Sequence, residues 1–158
     1  MIQHPIDPVY DENSKILILG SFPSQKSRET RFFYGHPQNR FWKVVAAVFG
    51  CDVPQTVEQK RKFLLLNRIA VWVVIASCDI VGSADSTIKN VVANDMSVIF
   101  SAANIKQIFA NGKTAKKYYD KYVKDTIGRE TECLPSTSPA NAAWSIERLT
   151  EHWQIIKN

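Results

Sequence analysis

Apolar residues along the chain fall into short continuous runs separated by stretches of helical spacing. Residues 15–19 read KILIL and stop at Gly20, as a buried strand does when it enters a tight turn. Residues 70–76 read AVWVVIA, a continuous, largely β-branched run of the kind found in central parallel strands. Residues 105–110 and 131–134 supply a third and a fourth strand. From Pro37 the pattern becomes helical: Phe41, Val44, Val45, Val48 and Phe49 share one face, and Gly50 supplies the stop. Further helices are expected over 57–69, 94–102 and 112–125. The last of these gathers Ala115, Tyr118, Tyr119, Tyr122 and Val123 on one face, with Lys113, Lys117, Lys121 and Lys124 largely opposite. Ser138 and Pro139 read as the N-cap and first residue of a terminal helix carrying Ile146, Leu149, Trp153 and Ile156.

Strands alternating with helices imply a parallel sheet covered on both faces. The expected fold is therefore α/β: a three-layer α/β/α sandwich with a four-stranded, mostly parallel central sheet, built as one domain over residues 1–158. Ligands of such sheets bind beyond the carboxyl ends of the strands. That directs attention to segments 20–37, 77–87, 110–114 and 134–141. Residues 21–37 lack periodicity and read as a long loop, and long structureless loops in compact domains are usually functional.

Composition narrows the classes without choosing among them. An apolar fraction of 45% and a charged fraction of 22% over 158 residues are ordinary for a soluble globular chain. No apolar run approaches the roughly 18 residues of a membrane span, and Asp7, Asp11 and Glu12 replace the basic-then-apolar start of a signal peptide. A cytoplasmic location is expected, with no membrane association. The net charge of +5 is compatible with a polyanionic partner without requiring one. Cys51, Cys78 and Cys133 form no CxxC pair, and His4, His36 and His152 show no ligand spacing. No metal or other cofactor is expected, and the cysteines read as buried, reduced thiols.

Three motifs are weaker than they look. Gly112-Lys113-Thr114 has Gln107 where a phosphate-binding loop needs its first glycine. Lys113 is better read at a strand-to-helix turn, where it and the helix N-terminus can meet a phosphate. Gly20-Ser21-Phe22-Pro23-Ser24 has Pro23 and no central serine, so it is not a nucleophile elbow. Only Glu29, Asp79 and Asp85 bring carboxylates to the loops of interest, which weakens any paired-acid mechanism. Asp85 reads as a cap of the turn after it.

The segment from Phe33 to Trp42, FYGHPQNRFW, is more specific. Together with Gly20-Ser21-Phe22-Pro23-Ser24 and with Leu134-Pro135-Ser136-Thr137-Ser138-Pro139-Ala140-Asn141, it resembles the uracil-DNA glycosylase superfamily. Loop 20–42 is similar to that of the mismatch-specific uracil-DNA glycosylases, which follow a Gly-Pro turn with an HPxNRFW element. LPSTSPAN resembles the superfamily's Ser/Pro-rich loop that presses into the minor groove. Many members carry Asn or Asp in the first turn, where this chain has Phe22, and a His in the later loop, where it has Ser136-Thr137-Ser138. Both departures resemble the hypoxanthine-DNA glycosylase branch, as does segment 77–86, which lacks that branch's basic residue near Ile80.

The resemblance implies a monofunctional, metal-independent glycosylase that hydrolyses the N-glycosidic bond of a deaminated base flipped out of double- or single-stranded DNA. It is expected to act as a monomer. The resemblance assigns catalysis to Asn39, which in an arbitrary protein would read as a cap. It assigns the base pocket to Gly20, Ser21, Phe22, Pro23 and Tyr34, with Tyr34 stacking on the base. DNA contacts fall to Lys113, Lys116, Ser136, Thr137, Ser138, Pro139 and Asn141. Such chemistry is coherent: bond cleavage places positive charge on the sugar and negative charge on the base, and fixed dipoles stabilise both without a covalent nucleophile. An Asn amide either orients the water through its carbonyl oxygen or donates its N–H to the base. Hypoxanthine is the expected base, with uracil or xanthine as further candidates; the alternatives are a uracil or mismatch-specific glycosylase and a non-catalytic protein that binds DNA lesions. His36 reads as a structural hydrogen-bonding residue.

Overall fold

In the computed structural model, which describes residues 1–4 and 6–157, two sheets and their helices are built in chain order. The elements are β1 (Ile2–Gln3), β2 (Ile16–Gly20), α1 (Gln25–Thr30), α2 (Phe41–Phe49), α3 (Val57–Leu66), β3 (Ile69–Val73) and β4 (Ile75–Asp79). They continue with β5 (Lys89–Ala93), α4 (Ser97–Phe100), β6 (Gln107–Asn111), α5 (Lys113–Tyr122), α6 (Lys124–Ile127), β7 (Glu132–Leu134) and α7 (Ile146–Trp153). The larger sheet has the order β3-β2-β6-β7, with all neighbours parallel. Helices flank it, giving the expected α/β/α sandwich. β2 is central: Leu17, Ile18 and Leu19 have no exposure at all. Burial on both faces is why the run is uniformly apolar, and each such side chain contributes about 2 kcal/mol.

The flanking helices are held by local signals. Thr56 caps α3 in a capping box with Gln59, whose side chain returns to the Thr56 N–H. Gly50 ends α2 at φ 66°, in the left-handed region. α2 packs against α7, with the Phe41 and Trp153 rings edge to face at 5.9 Å. Val9 covers the free edge of β3 through paired hydrogen bonds with Val71, 3.0 Å each way.

Several sequence expectations are corrected. The apolar run at 70–76 divides between two sheets: Val74 N–H donates to Gly20 O at 2.9 Å, Val74 O accepts from Asn94 N–H at 2.8 Å, and the chain leaves for β4. Residues 77–79 are therefore strand rather than loop, in an antiparallel sheet β1-β4-β5 that periodicity did not reveal. The helix expected over 94–102 shrinks to α4, because β5 precedes it and Asp95 turns the chain by accepting from Ser97 N–H at 3.0 Å. Loop 21–37 contains α1. The helix expected from Pro37 begins only at Phe41, and that expected over 112–125 breaks at Val123 into α5 and α6. The terminal helix starts not at Ser138 and Pro139 but at Ile146, with Ser145 accepting from Arg148 N–H at 3.1 Å. Of the cysteines only Cys78 is buried; Cys51 follows the end of α2, Cys133 lies on edge strand β7, and both are exposed.

Candidate active site

A cleft of about 550 Å³ opens at the carboxyl ends of β2, β3 and β6, between the turn after β2 and the Ser/Pro-rich loop. This is the position expected of a ligand site on a parallel sheet. Gly20, Ser21, Phe22, Pro23, Tyr34, Asn39, Ser136, Thr137, Ser138 and Pro139 all line it. Two segments about a hundred residues apart in sequence are thus brought face to face.

The turn after β2 is shaped by its hydrogen bonds. Gly20 O and Ser21 O accept from Val74 and Ile75 N–H at 2.9 and 3.0 Å. Phe22 is buried against His4, edge to face at 5.5 Å, with the Arg28 guanidinium 5.5 Å from its ring centre. Ser24 caps α1 by accepting from Ser27 N–H at 3.1 Å. Ser27 Oγ in turn accepts from Gly35 N–H at 2.9 Å, which draws the aromatic loop onto α1. A side chain at Gly35 would place its Cβ 2.7 Å from Thr30 Oγ1, so the close approach needs glycine.

Tyr34 forms the aromatic wall. Its backbone is left-handed at φ 52°, an uncommon conformation for a residue with a side chain. The hydroxyl is buried near Asn111 without an aligned hydrogen bond, and burial pushes its pKa up to about 12, with Asn111 acting weakly in the other direction. His36 Nδ1 accepts from Gln38 N–H at 3.1 Å, a structural role.

Asn39 lies just before α2 rather than within its first turn. Its Oδ1 accepts from Phe41 N–H and from the Thr137 hydroxyl, each at 2.9 Å. Arg40 organises the opposite wall: its guanidinium donates to the carbonyls of Ser138 (2.8 Å), Asn141 (3.0 Å) and Trp144, and its backbone N–H donates to Thr137 O at 3.1 Å. These contacts turn the carbonyls of 137–144 towards one side chain and keep the segment from becoming helix. They explain why no helix starts at Ser138, although its Oγ accepts from Ala140 N–H as a cap would.

The expected DNA-contact residues do not share one role. Ser136, Ser138 and Pro139 line the cleft. Thr137 is corrected: it is fully buried, and its hydroxyl faces Asn39 rather than solvent. Asn141 braces the loop, its Nδ2 donating to Ser136 O at 3.0 Å. Lys113 is exposed as the first residue of α5, whereas Lys116 is paired with Asp120 at 2.9 Å. Gly112, between β6 and α5, has φ 98°, and a Cβ there would lie 3.0 Å from that of Ser136, so the lysine turn and the Ser/Pro-rich loop touch.

Sequence reasoning missed Asn111 and Arg40 and misread Asp85. Asn111 closes the apolar strand IFAN at the carboxyl edge of the sheet, a polar end that was a legible signal. Nothing local marks Arg40. Asp85 does not cap its turn; it lines the cleft, where desolvation raises its pKa while the Thr114 and Ser21 side chains act to lower it. Lys26 also reaches the rim, exposed and 3.9 Å from Glu29. Among the described residues no group of three or more His, Cys, Asp or Glu is placed to hold a metal ion. No helix among them is long and apolar enough to cross a membrane.

Comparison with known proteins agrees with this geometry. The family profile described as the uracil DNA glycosylase superfamily matches residues 8–157. A protein of Methanosarcina acetivorans named hypoxanthine DNA glycosylase is 37% identical, the match covering 99% of this chain and 98% of that one. A protein of the same name from Methanosarcina barkeri is 37% identical over 85% of each chain. A solution NMR structure from Methanosarcina acetivorans, named as a candidate uracil DNA glycosylase, superposes with a TM-score of 0.84 at 36% identity, covering 99% of this chain and 98% of that one. The chain belongs to the uracil DNA glycosylase superfamily.

Proposed function

We propose that the protein is a monofunctional DNA glycosylase that hydrolyses the N-glycosidic bond of hypoxanthine in DNA and leaves an abasic site. The observation that carries this reading is the cleft itself. It combines an aromatic wall at Tyr34 with the amide of Asn39, whose nitrogen has no partner among the described residues. Its volume of about 550 Å³ falls within the range typical of small-molecule sites. The two Methanosarcina proteins named hypoxanthine DNA glycosylase favour hypoxanthine among the deaminated bases. Buried in DNA, the base is out of reach, so the nucleotide must be extruded into the cleft.

In this reading Tyr34 stacks on the extruded base, and the Ser21 and Phe22 N–H groups read its amide edge. Asn39 acts on the departing base or on the attacking water. Ser136, Ser138 and Pro139 press into the minor groove, and Lys113 meets a phosphate. The protein acts as a monomer in the cytoplasm, without a cofactor, on double- or single-stranded DNA. This reading assigns no Schiff-base role to Lys26, the exposed lysine at the rim of the cleft.

Single-turnover assays on duplexes carrying one hypoxanthine, uracil or xanthine test the proposal. Release of free hypoxanthine with an intact abasic strand is expected, and no adduct should be trapped by borohydride. Cleavage of uracil alone would move the substrate to the reading in the name of the NMR neighbour. Tight binding without release of any base would leave a lesion-binding protein.

A further inference from the structure

Two backbone N–H groups determine the polarity of the amides in the cleft. Phe41 N–H lies 2.9 Å from Asn39 Oδ1, and Thr137 N–H lies 3.1 Å from Asn111 Oδ1. A backbone N–H only donates, so each amide must present its oxygen there and neither can be turned over. Asn111 therefore presents Nδ2 to Thr137 Oγ1, 3.0 Å away, and donates to it. The Thr137 hydroxyl has a single proton, and its remaining neighbour is Asn39 Oδ1 at 2.9 Å. Donation runs in one direction, from Asn111 through Thr137 to Asn39. Thr137 has no exposure, so water does not compete for its hydroxyl.

Asn39 Oδ1 then has both lone pairs engaged, by Phe41 N–H and by Thr137 O–H. What remains is Nδ2, which has no partner among the described residues, on a residue that lines the cleft. We infer that Thr137, held by Asn111, is a positioning residue that makes Asn39 a hydrogen-bond donor to the departing base rather than an orienter of water. The inference rests on the reading above in which Asn39 is the catalytic residue. In the reaction the bond from the sugar C1′ to the base nitrogen breaks, and its electron pair leaves with the base. A water oxygen bonds to C1′, the water's proton passes to solvent, and the base anion takes up a proton in exchange. Asn39 Nδ2–H donates to an acceptor atom of the base while the negative charge builds. Donation from Thr137 into the amide oxygen withdraws electron density from the amide and strengthens that N–H as a donor.

Five single variants and one double variant test the inference on a hypoxanthine duplex, with single-turnover cleavage and affinity for an uncleavable analogue read separately. Asn39→Asp keeps an acceptor for both Phe41 N–H and Thr137 O–H but has no N–H. It should be as slow as Asn39→Ala, about a hundredfold or more below the parent, the scale of one lost preorganised donor. Lowering the pH should partly restore Asn39→Asp, because the protonated carboxyl regains a donor, and should not restore Asn39→Ala. Thr137→Val should slow cleavage by about tenfold or more, short of the hundredfold that a misplaced reacting group costs, with affinity unchanged. Thr137→Ser should recover the rate. Asn111→Asp should resemble Thr137→Val, because the carboxylate takes the Thr137 proton for itself; it guards against Thr137→Val failing to fold. Combining Thr137→Val with Asn39→Ala should be no slower than Asn39→Ala alone.

An Asn39→Asp protein that cleaves near the parent rate while Asn39→Ala does not would make Asn39 an acceptor and overturn the inference. Equal slowing by Thr137→Val with and without Asn39 would reduce Thr137 to a structural residue and overturn it too. Near-parent cleavage by folded Asn39→Ala is a different result, because it removes the catalytic reading on which the inference stands.

Discussion

The Tyr34 and Phe41 rings lie parallel, 4.0 Å between centres and 13° apart, so the core aromatic at the start of α2 backs the aromatic wall of the cleft. The Tyr34 hydroxyl meanwhile is buried without an aligned partner. Tyr34→Ala should weaken damage-selective binding by about 1–3 kcal/mol, the value of base–aromatic stacking. Tyr34→Phe should keep that binding and hold or raise stability by about 1 kcal/mol, since an unpaired buried hydroxyl is removed. Denaturant melts and titration with an uncleavable duplex measure both. A Tyr34→Phe protein destabilised by more than about 1 kcal/mol would show that the hydroxyl is well bonded after all.

Arg40 holds the Ser/Pro-rich loop through the carbonyls of Ser138, Asn141 and Trp144. Arg40→Ala leaves those carbonyls short of a donor and should cost roughly 2–4 kcal/mol in denaturant unfolding, the scale of lost charged hydrogen bonds. Arg40→Lys should recover little, because an ammonium cannot reproduce the planar fork. Lysine restoring most of the stability would indicate that charge, not geometry, holds the loop.

Lys113 and Lys116 differ in the company they keep. Lys116 is already paired with Asp120, while Lys113 stands exposed beside the Ser/Pro-rich loop. Lys113→Ala should flatten the log–log salt dependence of DNA affinity by about one unit, equally for all sequences. Lys116→Ala should change the slope less. Equal slopes for Lys113→Ala and the parent would return Lys113 to a solvated surface.

His4 supplies a pH dependence. Its Nδ1 accepts from Ile6 N–H at 3.2 Å, which fixes the neutral ring with Nε2 donating to Ile75 O at 3.2 Å. Burial holds its pKa below the ordinary value; the Ile75 carbonyl and Asp7 act to raise it, and Arg28 acts with burial. Below about pH 6.5 the unfolded chain therefore binds more protons than the folded one, and stability falls as the pH drops. His4→Gln should flatten that fall below about pH 6.5, where the unfolded histidine takes up its proton. Thermal melts across the range measure the difference. A parallel pair of curves would mean that His4 charges freely in the folded state.

The sequence by itself determined the four strands of the parallel sheet, because an apolar run buried on both faces is a local pattern that survives any choice of neighbour. It also determined the stop of α2 at Gly50, where the backbone turns left-handed. The motifs around Asn39 and Ser136 pointed to one cleft, since strand order places both at the carboxyl edge. Tertiary structure alone decided where the 70–76 run divides. Residues on both sides of Val74 are apolar, and the break falls there because Gly20 and Asn94 take its hydrogen bonds. It alone chose Ser145 over Ser138 as the cap of α7. Both serines suit that role, and the choice follows from Arg40 collecting the carbonyls of the earlier segment. The resemblance of LPSTSPAN to a groove-binding loop made Thr137 a groove contact. It became the buried hydroxyl that orients Asn39 because their bond spans 98 positions, and a hydrogen bond's direction depends on what lies opposite rather than on what lies next along the chain.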